Sequence, residues 1–488
     1  MKRTTSYLHG HPRGGYLMLL ALVFGSIFLT VLGSLSSFVL TENHAQSAST
    51  GRSKALAMAE AGLEYYRWHL AHFPTDLQNG TGAPGPYSLP FTDPEGGTTG
   101  TITLGIAGHM SCGQIRSIDI TSTGSPNDGS NVSRTVYAKY AQPTVAEYSY
   151  VLNSSDWASD ERIINGPYHT NGGVRLDGVA NSSVSSSLST WSCTASFGCS
   201  PSVVKPGVFG TGPHPEYWSY PTPQVDFAAI AADFTSLKTL ALAGGGALYF
   251  PRTSTGTTGV NAGKGYHLVF NSGGTVTVYR VTNETNTPSI PISNPSVTSL
   301  QADYSRIATE TLVNTYTLST DCGLIFVEDN TWIEGAIPTS VTVIAANVTT
   351  PGVNPNIYLP NNITYSNPSG TSGLTAIASN DVLIPPNSPF NMTLTGVFIA
   401  QSGSFGRNLY PCSNAPNDIR GALSIHGTTV ANKRSDTLWS YSGFGCSGTR
   451  LSGYASRIDA FDRALSTNPP PFTPITSSIY KFVDWHEE

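Results

Sequence analysis

Charge is scarce in this chain: of 488 residues only 11% are Asp, Glu, Lys or Arg, against about 25% in an ordinary soluble domain. The formal charge of −6 offers no basic surface to displace phosphate counterions, which sets nucleic-acid binding aside. Cysteine is scarce as well. Six in the whole chain are too few for a disulfide scaffold, although Cys193 and Cys199 in CTASFGC are close enough to close a small loop in an oxidising compartment. The pairing of Cys112, Cys322, Cys412 and Cys446 stays open. No CxxC pair or spaced His/Cys set indicates structural zinc, and the lack of GxSxG removes a hydrolase nucleophile elbow. Asp156, Asp160 and Asp177 do not reproduce a calcium-loop spacing, which leaves calcium at a turn as an open question. Nothing in the chain calls for a cofactor.

Long uncharged stretches are present. From Gly14 to Thr41 there are 28 consecutive residues without charge, and about 20 in a helix already cross a hydrocarbon core. Lys2, Arg3 and Arg13 precede the run with no acid among them, so the positive-inside tendency keeps the N-terminus cytoplasmic and sends the rest outward. A secretory signal would carry a shorter apolar region, about 7 to 15 residues. Hydropathy alone does not account for Arg13-Gly14-Gly15-Tyr16 directly before the run.

That arrangement resembles the leader of type IV pilin-like proteins, in which a basic leader ends in Gly and a prepilin peptidase cuts before an aromatic residue. The resemblance implies a leader over 1–15, cleavage between Gly15 and Tyr16, and a transmembrane helix over 16–41 kept on the mature chain. Major pilins carry Glu at the fifth mature position; here that position is Leu20, or Leu19 for a cut one residue earlier. The missing carboxylate eases insertion and, by the same resemblance, points to a tip or accessory subunit rather than a shaft subunit. Within the span, Ser26, Thr30, Gly33 and Ser37 form a narrow face of small residues on which another helix can pack closely, although such residues are also simply tolerated in membrane helices.

After the Ser- and Thr-rich junction around Gly51, which is expected to loosen the helix, KALAMAEAGLEYYRWHLAHF carries Leu56, Leu63 and Leu70 every seven residues, with Ala59, Tyr66 and Phe73 between them. This is one apolar stripe on a helix over 42–75, closed by Pro74. AMAEAGLEYYRW resembles the PilX N-terminal family of pilus-assembly proteins, over roughly residues 10 to 75.

Three segments between Gly100 and Ala141 (TGTITLGIAG, IRSIDITSTG and SRTVYAKYAQ) alternate apolar and polar residues and predict a small antiparallel sheet within 76–146. From 147 to 440 the texture is different. RIINGPYHTNGGVRLDG, VTVIAAN, TAIASNDVLI and MTLTGVFIAQSGSF repeat a few β-branched residues followed by Asn, Asp or Gly, with no strict period. We read this as a right-handed parallel β-helix-like body, with a β-sandwich as the alternative. A helix is expected over Val225 to Gly244 (VDFAAIAADFTSLKTLALAG), and 441–488 is expected to cap the solenoid. In that cap Pro469, Pro470 and Pro471 preclude ladder pairing, and Phe472, Tyr480, Phe482 and Trp485 cover the last coil. The order of HTNGGVRLDG, VEDNTWIEGAI and NPPPF is similar to the large C-terminal regions that accompany PilX-type N-termini.

The fold class is therefore mainly β with a long N-terminal helix. Its resemblances imply a minor pilin-like protein of the cell membrane, single-pass, with its body outside and no enzymatic activity. Its implied partners are other pilin-like subunits, prepilin peptidase and the bilayer, with surface glycans or proteins as adhesion targets. The competing enzyme reading is a carbohydrate-active β-helix, for which Asp156, Asp160, Glu161, Asp177, Glu328, Asp329, Glu334 and His426 are candidates. Glycosidic cleavage needs two carboxyl groups about 5 to 9.5 Å apart, and Glu328 with Glu334 can flank a groove with Trp332 as a sugar platform. His169 and His267 read as turn or strand residues rather than ligands. A third reading is an anchored adhesin that is never cleaved and never enters a pilus.

Overall fold

In a computed structural model that describes residues 15–253, 264–367 and 372–488, the chain divides into two compact units. The first comprises 1–107, 119–138 and 485–488, and the second 108–118 and 139–484. Residues 1–14, within the expected leader, lie outside the described residues.

The first unit is organised by α1 (Gly15–His72), an uninterrupted helix of 58 residues. Its buried positions after residue 50 are Gly51, Ala55, Met58, Ala59, Gly62, Leu63, Tyr66, His69 and Leu70, a stripe at 3.6-residue period. Leu56 is only half-buried, because a seven-residue repeat drifts about 20° per heptad on a straight helix. Phe73 stands beyond the helix end and is exposed. Gly51 does not loosen the helix; it marks a close approach, since a Cβ there would stand 2.4 Å from Ser130 Oγ. Gly62 is the same device, with Ser122 Oγ at 2.2 Å and Ile102 Cγ2 at 2.6 Å from its missing Cβ.

The stripe packs on an antiparallel sheet of β1 (Tyr87–Thr92), β2 (Thr98–Ser111), β3 (Gln114–Pro126) and β4 (Arg134–Ala141), joined beyond β4 by Lys481–Glu487. The inward residues Ile102, Leu104, Ile120 and Val136 are at most 5% exposed. The last strand corrects the expected cap: it completes this sheet, and Trp485 stays half exposed.

The second unit is built mainly on stacked parallel ladders, with antiparallel pairing where Thr275–Ser289 runs between Tyr266–Asn271 and Gln301–Thr317 and where Leu438–Gly443 meets Cys446–Ala460. The longest ladder runs, in spatial order, through Leu248–Phe250, Leu324–Val327, Ser340–Ala345, Gly373–Ala378, Met392–Ala400, Ile419–Ala431, Tyr150–Leu152, Tyr168–Thr170, Val184–Ser186 and Trp218–Ser219. Every adjacent pair in it is parallel. The spatial order differs from the chain order. Residues 150–219 coil away from a central seam, and the chain then returns past 247 to wind from 248 back to that seam, where Thr429 pairs with Tyr150 and Arg457 with Arg162.

From Leu324–Val327 to Tyr150–Leu152 both faces of this ladder are largely apolar, which is why those strands read as short hydrophobic runs rather than alternating ones, whereas beyond Val151 the outer row turns polar at His169, Ser185 and Ser219. Val327, Ala345, Ala378, Ala400, Ala431 and Leu152 align in register on the inside. On the outside Phe326, Ile344, Ile377, Ile399, Val430 and Val151 align in the same way. The returning segment covers that outer row with Ile230, Leu237 and Ala241.

The returning segment is not one helix from 225 to 244. Only α2 (Phe234–Leu242) is α-helical, because Asp226 turns its carboxylate onto Ala228 N and Ala229 N, and Asp233 starts a new cap on Thr235 N and Ser236 N.

Residues 441–460 also correct the expected cap. Cys446–Ala460 is an internal strand of the stack, paired with Ile419–Ala431 and Arg162–Asn165. The prolines lie along the ladder rather than across its end: Thr342 donates its hydroxyl to Pro471 O, and Thr375 and Thr473 share a hydroxyl bond of 2.6 Å. Phe472 packs beside the outer row, while Tyr480 and Phe482 meet Tyr140 at 5.2 and 5.9 Å between ring centroids.

Candidate functional site

The first half of α1 is one candidate site. Every residue from Tyr16 to Ser47 is exposed, including Leu19, Leu20, Phe24, Phe28 and Phe38. This is a helix long and apolar enough to cross a membrane, with a mean hydropathy of 2.3 over its richest window. Hydrocarbon offers no hydrogen bonds, so polar side chains must find partners within the helix. Ser26 donates to Val23 O at 2.8 Å, Thr30 to Ile27 O at 2.8 Å, Ser34 to Val31 O at 2.9 Å and Thr41 to Ser37 O at 2.8 Å. Ser26, Thr30, Gly33 and Ser37 lie on exposed helix, and apart from the helix's own backbone no described residue comes within 4 Å of the position a Cβ on Gly33 would take. Gly15 opens the helix, and Tyr16 and Leu20 are 89% and 55% exposed.

The carboxylate candidates are dispersed. Glu328 is buried and committed on both oxygens, to Lys238 Nζ at 2.6 Å and Tyr249 OH at 2.7 Å. Glu334 instead faces His267, whose Nε2 is 3.6 Å from its Oε1, an ionic contact rather than a hydrogen bond. His267 Nδ1 meets Glu310 Oε2 at 2.9 Å. Burial alone lowers the affinity of His267 for a proton, but the two facing carboxylates outweigh it and hold the imidazole above its ordinary pKa. Trp332 is no sugar platform: it is fully buried, donates Nε1–H to Ser305 O at 2.6 Å and packs on Tyr358. The paired-carboxylate groove expected of a glycosidase is therefore not formed by Glu328 and Glu334.

The other candidates hold turns or the seam. Asp329 accepts from Thr253 N at 2.9 Å and Thr253 Oγ1 at 2.8 Å. Asp177 accepts from Trp157 Nε1, Arg175 Nε and Thr211 N. Asp160 is exposed and Glu161 half-buried, and His426 is half exposed at 3.7 Å from Asp462. His169 is buried between Ser185 and Asn171, and burial pushes its pKa down. Asp156 belongs to a buried ionic network with Arg162 Nη1 at 2.9 Å and the Tyr168 hydroxyl. Arg162 also reaches Asp459 at 2.6 Å, and Arg457 reaches Asp459 at 2.7 Å. Burial disfavours the charge on Asp459, yet the two guanidiniums outweigh it and hold the carboxyl below its ordinary range. Among the described residues no cluster of three His, Cys, Asp or Glu is placed to hold a metal.

All six cysteines are paired: Cys112–Cys322, Cys193–Cys199 and Cys412–Cys446. Two of these bonds join positions 210 and 34 residues apart, which spacing does not reveal. They make the chain a disulfide-bonded protein despite its low cysteine content, the state that persists in an oxidising compartment.

No family model matches the chain, and no curated protein matches it. Among solved structures the chain is similar to the competence-associated pilin ComZ from Thermus thermophilus, at 12% identity and a TM-score of 0.28, over 90% of this chain and 98% of that one. That overlap is too loose to define a shared fold.

Proposed function

We propose that the chain is a minor pilin-like subunit, inserted in the membrane by the first half of α1 and displaying its disulfide-bonded β body outside the cytoplasm. The observation that carries the reading is the division of one continuous helix: 16–47 is exposed with no partner among the described residues, and 51–70 is packed on the chain's own sheet. Lipid solvates the free half first, and neighbouring pilin-like helices replace lipid on assembly. Leu20 in place of Glu removes a charge that would otherwise pair with a neighbouring subunit's N-terminus, which suits a subunit present in few copies at a tip or side. In this reading the body serves assembly or adhesion, and no catalytic step is assigned to it.

The test is the mass of the mature N-terminus in membranes from the native cell. A chain starting at Tyr16, with or without N-methylation, supports the reading. An intact Met1 overturns processing and leaves an uncleaved adhesin.

A further inference from the structure

The second unit holds a cavity with a polar lining. It measures about 550 Å³ and is walled by the 109–117 turn region, the 339–340 strand start and the 467–475 segment, a volume within the usual range for small-molecule sites. Its lining holds nine Ser and Thr residues together with Gln142 and Asn468, but no Asp, Glu or Lys. The hydroxyls of Ser117, Thr320 and Ser340 make no hydrogen bond among the described residues.

A single guanidinium faces this polar wall. Arg116 lies over the Phe472 ring, with Cζ 3.9 Å from its centroid, and donates from Nη2 to Gln114 Oε1 at 3.1 Å. Its Nε is shielded from water without a hydrogen-bond partner, and no carboxylate pairs with it among the described residues. Burial pushes its pKa down to about 10, so it stays charged at neutral pH while lacking a counter-ion. A guanidinium stacked by its face keeps its N–H edge free, and that edge matches a carboxylate in two-point fashion.

A simple fatty or aliphatic acid would leave the hydroxyl wall unanswered, and a neutral sugar would leave the cation unanswered. A carboxylated pyranose answers both, its C–H faces resting on the apolar part of the wall at Ile115, Pro471 and Phe472. We infer that this cavity binds a sugar acid of the hexuronate class, with Arg116 holding the carboxylate and the Ser and Thr side chains meeting the ring hydroxyls. The source is either a free hexuronate or a residue of an acidic polysaccharide. The site lies in the β body, so its failure leaves the pilin-like reading standing, and failure of that reading leaves the site standing.

The test uses the full chain in detergent micelles, titrated calorimetrically with galacturonate, tri-galacturonate and galactose. Galacturonate is expected to bind at least tenfold tighter than galactose, and Arg116→Gln to remove at least tenfold of that affinity while Arg116→Lys keeps part of it. Tighter binding of the trimer assigns the site to a polysaccharide chain, and equal binding to the free sugar acid. Ser117→Asp, which adds a competing anion to the lining, guards against misfolding of the Arg116 variant and is expected to weaken galacturonate selectively. Equal affinity for galactose and galacturonate, or galacturonate affinity unchanged in either the Gln or the Asp variant, overturns the inference.

Discussion

Two leucines on one helix obey opposite rules. Leu29 is 70% exposed and Leu63 is 2% exposed, although both belong to α1 and their residue type is the same. The second half of the helix has found its apolar partner inside the chain, down to Gly62, which admits the sheet at contact distance, and Gly51, which admits Ser130. The first half is as apolar and has no partner among the described residues. A single regular element can thus be half buried core and half exposed apolar surface, and the difference is set by what surrounds each half rather than by its helical geometry.

The contrast can be broken most strongly at Leu63. Leu63→Ala is expected to cost about 2–5 kcal/mol in urea unfolding of the detergent-solubilised chain, whereas Leu29→Ala in the same assay stays within about 0.5 kcal/mol. An equal loss at both sites would mean that the two halves share one environment. A charge tests the other half: Leu29→Arg is expected to cost about 2.5–3.5 kcal/mol on membrane insertion and to move protein out of the membrane fraction, with no matching loss of disulfide-bonded fold. Gly62→Leu, which drives a side chain into Ser122 and Ile102, is expected to destabilise the first unit by about 1–3 kcal/mol, while Gly33→Leu in the free half leaves urea stability unchanged.

The smallest expected effect is pH-dependent and belongs to the end of the packed half. Asp76 accepts from Gln78 N at 2.7 Å and Gly80 N at 2.6 Å, and meets His69 Nε2 at 2.8 Å. The Gln78 backbone bond is the foremost cause holding its carboxyl below the ordinary range. A depressed folded pKa gives stability that is present above the unfolded value near 3.8 and is lost as pH falls through the lower folded value. Acid titration of unit stability should therefore show a step below about pH 4, absent in Asp76→Asn. A step that survives the substitution would assign it to another carboxylate.

The sequence was legible where partners are near in the chain or where one period persists. The long apolar helix, its packed second half, the three central strands of the first sheet and the β-rich body were all readable from local pattern. Misreadings came from competition at single residues. Gly51 looks like a helix loosener because glycine lowers helix propensity, but the missing Cβ is needed for Ser130 to approach. Asp226 and Asp233 sit inside an otherwise helical pattern and cap it twice, leaving α2 as the helical remainder. Glu328 and Glu334 are neighbours in sequence, yet one turns toward Lys238 and the other toward His267. Arg116 gave no signal in IRSIDITSTG, since a basic residue on a strand with one wet face is ordinary until the segment around Phe472 closes over it.

By itself the sequence determined that a long uncharged helix precedes a β-rich, weakly charged body, because hydropathy and side-chain period are properties of contiguous residues. Only the tertiary structure decided which ends meet. Nothing near Arg162 announces that it will lie against Asp459, 297 residues away, or that the coils of 150–219 stack on the end of those that begin at 248. Those choices depend on closing a long loop and burying two opposite charges together, and a buried charge is tolerated only when its partner arrives with it.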